Sequence, residues 1–305
     1  MKVNRIKFFW GLFMIFFLIF TINSFAKVDA DDKAAAQRLL FPYFKYTIPF
    51  GVDSLIYISN TSSQQITAQI SFFNIYNTPG LNSEVTISAW GTAGINIRDL
   101  IESNNLHGLF QSSPGVYEGY IVVDVVSSYN ENAYPSLVMD GDDSASGLNF
   151  PAEISNILTG SEIIVNITGQ YAGEYRCVHI EANSSSNNFE NSHPLSEHRN
   201  LPYLVEPSVG ANTILILWFN SYDSSRTITL FVDSNSNGSY VSFGCSVPFA
   251  VNLIDLSEVA PGVGSGTYNY GIVEYISDPD VPMVGQAVIT AESNAFEIVQ
   301  PEAHY

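Results

Sequence analysis

The residue types best suited to chemistry are oxygen donors in two short loops. "DGDD" places Asp140, Asp142 and Asp143 within one turn, and "DSNSNG" at 233–238 places Asp233, Asn235 and Asn237 at alternate positions before a glycine. Alternating oxygen side chains closed by a glycine turn are the opening half of a calcium loop, because a hard cation takes six to eight oxygens. The twelfth position of the second loop is Gly244, where a bidentate Glu would be required, so the helix-flanked calcium motif is incomplete. A β-hairpin turn accounts for the same Asn and Gly content without a metal. Ca2+ is therefore a weak expectation at both loops, and no other cofactor is expected.

Other chemistries lack their local patterns. No Gly-x-Ser-x-Gly elbow occurs, and "GVGSG" at 262–266 resembles it in composition only. The five histidines include no His-Glu-x-x-His pair, and no Cys-x-x-Cys-His haem attachment is present. His193 and His198 sit in a polar stretch with Glu190 and Glu197, which reads as a solvated loop. Paired carboxylates for glycoside hydrolysis come from distant strands and leave no local signature. Trp90 ends a strand-like run before "GTAG" and is a candidate ligand platform; Trp218 lies inside an apolar run and reads as core.

The N-terminus sets the compartment expected. Lys2, Arg5 and Lys7 precede "FFWGLFMIFFLIFTI" at 8–22, and Ser24 and Ala26 follow at small-residue positions. Basic, apolar and small-residue regions in this order read as a secretory signal peptide spanning 1–26. Export puts Cys177 and Cys245 in an oxidising compartment, which predicts a disulfide between them. Loss of Lys2, Arg5 and Lys7 with the leader takes the formal charge from −19 to −22. So acidic a surface repels phosphate backbones and excludes a nucleic-acid partner. No later stretch is apolar enough to anchor the chain in a bilayer.

Short alternating runs dominate the remainder. In "ITAQISFFNI" Ile66, Ala68, Ile70 and Phe72 fall on one face and Thr67, Gln69 and Ser71 on the other, the period of a half-buried strand. "TILILWF", "TITLFVD", "YVSFGCSV" and "GIVEYI" read likewise, and "TSSQQ" at 61–65 reads as a hairpin connection. Two segments read as helical: "DDKAAAQRLL" at 31–40, ended by Pro42, and a turn in "PAEISNILTG" at 151–160. The strand order of the first half recurs in the second, with "INIRDL" at 95–100 matched to "VNLIDL" at 251–256. In both, Asp99 and Asp255 are expected to accept backbone hydrogen bonds at the turn that follows.

These patterns predict an all-β fold of tandem β-sandwich domains with an internal repeat. The expected organisation is a signal peptide (1–26), an N-terminal sandwich with a leading helix (27–182), an Asn/Ser-rich linker (183–199) and a C-terminal sandwich (200–305). The function expected is a secreted, non-enzymatic structural or surface-associated binding protein whose partner is a protein or a glycan. Carbohydrate binding and a β-scaffold hydrolase with paired carboxylates are the alternatives. Intact-mass measurement of the exported protein should give a chain that begins at Lys27; a mass that still includes residues 8–22 would contradict the leader.

Overall fold

The computed structural model describes residues 35–49, 51–126, 156–169, 171–175, 177–180, 199–219, 221–233, 240–260, 262–264, 269–276, 283–291 and 296–301. The expected leader, the "DGDD" loop and residues 183–198 of the expected linker lie outside them. The described chain is mostly strand, in four antiparallel sheets. The strands are β1 (Arg38–Thr47), β2 (Val52–Asn60), β3 (Ile66–Asn74), β4 (Pro79–Ile87), β5 (Thr92–Asn96), β6 (Gln111–Ser113), β7 (Val116–Val125), β8 (Leu158–Asn166), β9 (Tyr171–Tyr175) and β10 (Val178–Ile180) in the first half. The second half holds β11 (Arg199–Leu204), β12 (Ala211–Phe219), β13 (Thr227–Asp233), β14 (Tyr240–Ser246), β15 (Val251–Asp255), β16 (Tyr270–Ile276), β17 (Met283–Ala291) and β18 (Phe296–Pro301). Among the described residues three short α-helices are α1 (Ile97–Ser103), α2 (His107–Phe110) and α3 (Leu256–Val259).

Each half is built from two sheets around one apolar core. In the first, the sheets run β10-β1-β7-β3-β4 and β5-β2-β8-β9; in the second, β11-β16-β13-β14 and β15-β12-β17-β18. Apart from β10 and the small β6, the orders match strand for strand. Leu39, Phe41, Ile56, Phe72 and Ile121 meet in the first core, and Leu215, Leu217, Leu230, Val273 and Tyr275 in the second. The registers match as well. Leu55 pairs with Asn96 and Ile214 with Asp255, so both members of the pair are displaced by 159 residues.

That displacement corrects the motif match read from the sequence. The partner of Asn96 is Asp255, three positions beyond the "INIRDL"/"VNLIDL" alignment. Asn96 caps α1 by accepting from the Asp99 N–H at 3.1 Å, and Asp255 caps α3 by accepting from the Ser257 N–H at 2.9 Å. Asn and Asp are interchangeable at that position. Asp255 thus has the expected role, whereas Asp99 supplies a donor rather than an acceptor.

A hydroxyl ties the two sheets together at the same displacement. The Ser54 hydroxyl accepts from the Lys45 N–H and donates to the Lys45 carbonyl, both at 3.0 Å. Thr213 does the same with Leu204, both bonds at 2.8 Å. Both side chains are fully buried. Each bridge gives the strand's polar groups a partner on the facing sheet, where water has no access.

Three local expectations change for physical reasons. Arg38–Leu40 is strand, not helix: it is bonded to β10 on one side and β7 on the other, and Leu39 and Leu40 are buried on opposite faces. Tertiary pairing overrides the alanine-rich helix propensity. Of the helical turn expected at 151–160, Leu158–Gly160 instead opens β8. "TSSQQ" is a crossover rather than a hairpin, since β2 and β3 lie in different sheets.

A third apolar layer joins the halves. Leu40, Tyr120 and Val122, on the outer face of the β1-β7 sheet, pack with Ile216, Trp218, Val284 and Val288 of β12 and β17. Strands β1, β7, β12 and β17 are therefore buried on both faces, which is why "YIVVDV" and "TILILWF" are nearly continuous apolar runs. Beside this layer Arg38 and Asp124, cross-strand partners, form a bidentate ion pair at 2.5 and 3.1 Å. Thr213→Val keeps side-chain shape but removes the inter-sheet hydroxyl. It should cost about 1–3 kcal/mol in urea unfolding, with Thr213→Ser close to wild type; a fully stable valine variant would dismiss the bridge.

Candidate functional site

Among the described residues the exposed aromatic side chains are Trp90, Tyr76, Tyr222, Tyr240 and Tyr270; Trp90 forms one group and Tyr76 with Tyr222 a second, and only Trp90 was read from the sequence. Trp90 is 71% exposed in the turn between β4 and β5. Its φ of 55° lies in the left-handed region, which is unfavourable for a bulky residue. Neighbouring groups hold it there. The Trp90 N–H donates to the Ser62 carbonyl at 3.0 Å, and the Asn60 amide donates to the carbonyls of Gln64 at 2.6 Å and Ser88 at 3.0 Å. Asn60 thereby binds the 61–64 loop to the Trp90 turn from a buried position.

The second group lies on the seam between the halves. Tyr76 and Tyr222 are 48% and 46% exposed, and their ring centroids are 5.8 Å apart. The half-buried Phe249 supports both, 5.2 Å edge-on from Tyr76 and 6.3 Å from Tyr222. Tyr76 comes from the turn after β3; Tyr222 and Phe249 come from the loops after β12 and β14. A backbone bond from the Ala250 N–H to the Ile75 carbonyl, 2.7 Å, fixes one loop against the other.

Local chemistry shapes both turns. The Asn74 carboxamide oxygen accepts from the Tyr76 and Thr78 N–H groups at 3.0 and 2.9 Å. Asn77 takes a positive φ of 63°, which Asn tolerates. Its side chain receives the Tyr120 hydroxyl, and the Tyr120 ring meets Trp218 edge-on at 5.7 Å. Surface turn and buried seam are thus one connected structure. On the other side, Asp223 accepts from the Ser225 N–H and hydroxyl at 2.9 and 2.7 Å. Those bonds hold its carboxyl below the usual range, so it is a charged, solvent-facing acceptor next to Tyr222. Arg226 lies over Phe219 at 4.5 Å and donates to the Ser221 carbonyl and hydroxyl at 2.9 and 2.7 Å.

The other predicted positions do not join these groups. Asp140, Asp142, Asp143, Asn235 and Asn237 lie outside the described residues. Asp233 ends β13 opposite Tyr240, closing the hairpin, and its carbonyl accepts from the Tyr203 hydroxyl at 2.8 Å. Among the described residues no three His, Cys, Asp or Glu side chains come together as a metal group. The predicted disulfide is absent. Cys177 and Cys245 are free thiols buried in different cores, on opposite sides of the seam layer. Cys177 Sγ donates to the Gly160 carbonyl at 2.9 Å, and burial pushes its pKa far up, so it behaves as an apolar core group.

Ionisable groups cluster at the end of the first half, where they are structural. The Arg98 guanidinium donates to the carbonyls of Val52 and Thr47 at 2.9 and 3.4 Å and faces Asp53 at 3.6 Å. Tyr46 stacks on Tyr117 at 4.5 Å, with its hydroxyl 3.2 Å from His107 Nδ1. Together they close the turn between β1 and β2. Glu162 differs from these groups. It is 1% exposed, and neither carboxylate oxygen has a hydrogen bond of ordinary geometry. In the other half the matching position, set by the pairs Ile56 with Glu162 and Leu215 with Ala287, holds an alanine.

No family model matches the chain, and no curated protein matches it significantly. Among solved structures, a β-glucuronidase from Parabacteroides merdae aligns at 13% identity and a TM-score of 0.17, over 92% of this chain and 29% of that one. A lectin from Pleurotus ostreatus, solved with GalNAc, aligns at 9% identity and a TM-score of 0.19, over 90% of this chain and 82% of the lectin. The chain therefore spans under a third of the glucuronidase. No helix among the described residues is long and apolar enough to cross a membrane.

The seam aromatics were legible only in part: Tyr76 in "IYNTPG" and Tyr222 in "NSYDSS" are large rings within polar turns, positions that rarely bury them. For Glu162, burial raises the carboxyl pKa well above 4.5, and the nearby Ser54 hydroxyl offsets this only partly. The unfolded chain then releases this proton first, so this group's contribution to stability is greatest below about pH 4.5 and is lost as pH rises towards the folded-state value. Urea midpoints measured from pH 4 to 8 should show Glu162→Gln removing this component of the slope; an unchanged slope would contradict it.

Proposed function

We propose that this chain is an exported, non-catalytic binding protein whose partner is a glycan at a cell surface. The observation that carries the reading is the Tyr76–Tyr222–Phe249 group. Two half-exposed tyrosines are held by a third ring, with the charged Asp223 next in sequence to one of them. Sugar rings present apolar C–H faces to aromatic rings and hydroxyls to carboxylates and amides, and such a surface offers both. Trp90 extends the same chemistry at a second place. The N-terminal leader supports export, and the acidic surface disfavours anionic polymers as partners.

A hydrolase reading has less support, because the buried Asp124 and the half-buried Glu118 are engaged by basic or hydroxyl partners and Glu162 is closed off from substrate. Asp124 is held by Arg38, while Glu118 accepts from Tyr43 at 2.7 Å and faces Lys45 at 3.4 Å. Glu162 is sealed from solvent.

Affinity electrophoresis and calorimetry against a panel of neutral oligosaccharides test the proposal. Tyr76→Ala and Tyr222→Ala should each weaken binding about tenfold or more, equivalent to roughly 1.4 kcal/mol, and leave the circular dichroism unchanged. Binding that survives both substitutions, or an absence of binding to any member of the panel, would overturn it.

A further inference from the structure

We propose that the Tyr76–Tyr222–Phe249 group binds glycans whose sugars carry free ammonium groups in preference to neutral ones. The inference rests on the glycan reading above and names the class of sugar. The face of an aromatic ring is electrostatically negative, and a cation within about 6 Å of the ring centroid is attracted to it. The three centroids lie 5.2, 5.8 and 6.3 Å from one another. A cation resting on the group is therefore within reach of more than one ring. The rings of Tyr76 and Tyr222 are open to it, since both are exposed.

A carboxylate stands beside the rings. Asp223 is exposed and follows Tyr222 in the chain. Its N–H donates to the Pro248 carbonyl at 3.0 Å, which sets it against the segment that carries Phe249. The bonds from the Ser225 hydroxyl and N–H keep the Asp223 carboxyl charged near neutral pH. An ammonium seated at the rings thus has an ionised hydrogen-bond acceptor in the same loop, and such charge-assisted bonds are the strong ones. Arg226, the cation of this loop, is engaged elsewhere. Its guanidinium lies over Phe219 and donates to Ser221.

The rest of the surface acts in the same direction. The chain carries a formal −19 and has no lysine beyond Lys45. Arg38, Lys45 and Arg98 face Asp124, Glu118 and Asp53, while Glu84, Asp99, Glu102 and Glu258 are exposed. A surface so charged gathers cationic ligands and repels anionic ones. Among cationic polymers an amino sugar suits these rings better than a lysine-rich peptide. One rigid sugar ring carries both the ammonium and an apolar C–H face, whereas a lysine must immobilise a flexible stem to place its charge.

Calorimetry of the full exported protein with glucosamine oligomers of equal length, one set N-acetylated and one with free amines, tests this. At about pH 6 both the amines and Asp223 are charged. The free-amine oligomer should bind about tenfold or more tighter at low salt, and the advantage should shrink as salt is added. Asp223→Asn should remove most of that ratio, with an unchanged circular dichroism spectrum. Glu258→Gln removes the same charge from α3, which follows the end of β15 remote from Trp218, and should leave the ratio intact. Equal affinity for the two oligomers, with both weakened by Tyr222→Ala, would overturn this inference and leave the glycan reading standing. Binding of neither oligomer would overturn both. A ratio lowered as much by Glu258→Gln as by Asp223→Asn, or an oligolysine bound as tightly as the free-amine oligomer, would also overturn the inference.

Discussion

The structure depends on one layer of apolar side chains that has no counterpart inside either half. Tyr120 and Val122 on one side, with Ile216 and Trp218 on the other, leave the sheets that carry them without a solvated face. A sheet buried on both sides cannot alternate apolar with polar residues, and its strands must be apolar throughout. Removing either half would expose the run that the other covers. The layer also places Ile75 against Ala250, and so brings together two turns whose aromatic rings come from different halves. The candidate site is in this sense a product of the seam rather than of either half.

Within that frame the two halves keep the same devices and differ where roles differ. A hydroxyl bridges the facing sheets at Ser54 and again at Thr213, and a polar cap opens a short helix at Asn96 and again at Asp255. The matched strands β1 and β11 share a motif, "FPYF" at 41–44 and "LPYL" at 201–204, with a proline at the same place in each. In the first the strand bulges between Phe41 and Phe44 and Tyr43 turns to the seam; in the second Tyr203 faces the core. Glu162 replaces the apolar group found at Ala287. The described sheets of the two halves share a strand order, and the first carries the added polar detail.

Much of the fold was legible because period two is a local signal. "ITAQISFFN" and "TITLFVD" show it directly, and Trp218 within "TILILWF" was expected in a core and is buried in the seam layer. What pairs with what was less legible. "TSSQQ" has the composition of a hairpin turn, yet strand partners are set by cores far away in sequence, and β2 crosses to the other sheet. The alanine-rich stretch before Pro42 failed for the same reason, since its end is held between β7 and β10. The disulfide expectation rested on compartment and count alone, and the cysteines face different cores. The exposure of Trp90 was legible because one indole at a strand end needs no partner. Tyr76 and Tyr222 were legible as large rings in polar turns, but their meeting with Phe249 was not, because only the seam brings them together.

The central claim is that the seam makes the two halves one cooperative body. In a chain lacking residues 1–26, Trp90 and Trp218 are the tryptophans, so Trp90→Phe leaves an indole at the seam as the single reporter. Its fluorescence and the far-ultraviolet circular dichroism should be followed together through urea unfolding. The account predicts coincident transitions with one midpoint, because exposure of Trp218 and loss of the sheets are the same event. A fluorescence transition at lower urea, with the sheet signal still intact, would mean that the halves separate before they unfold, and would contradict it.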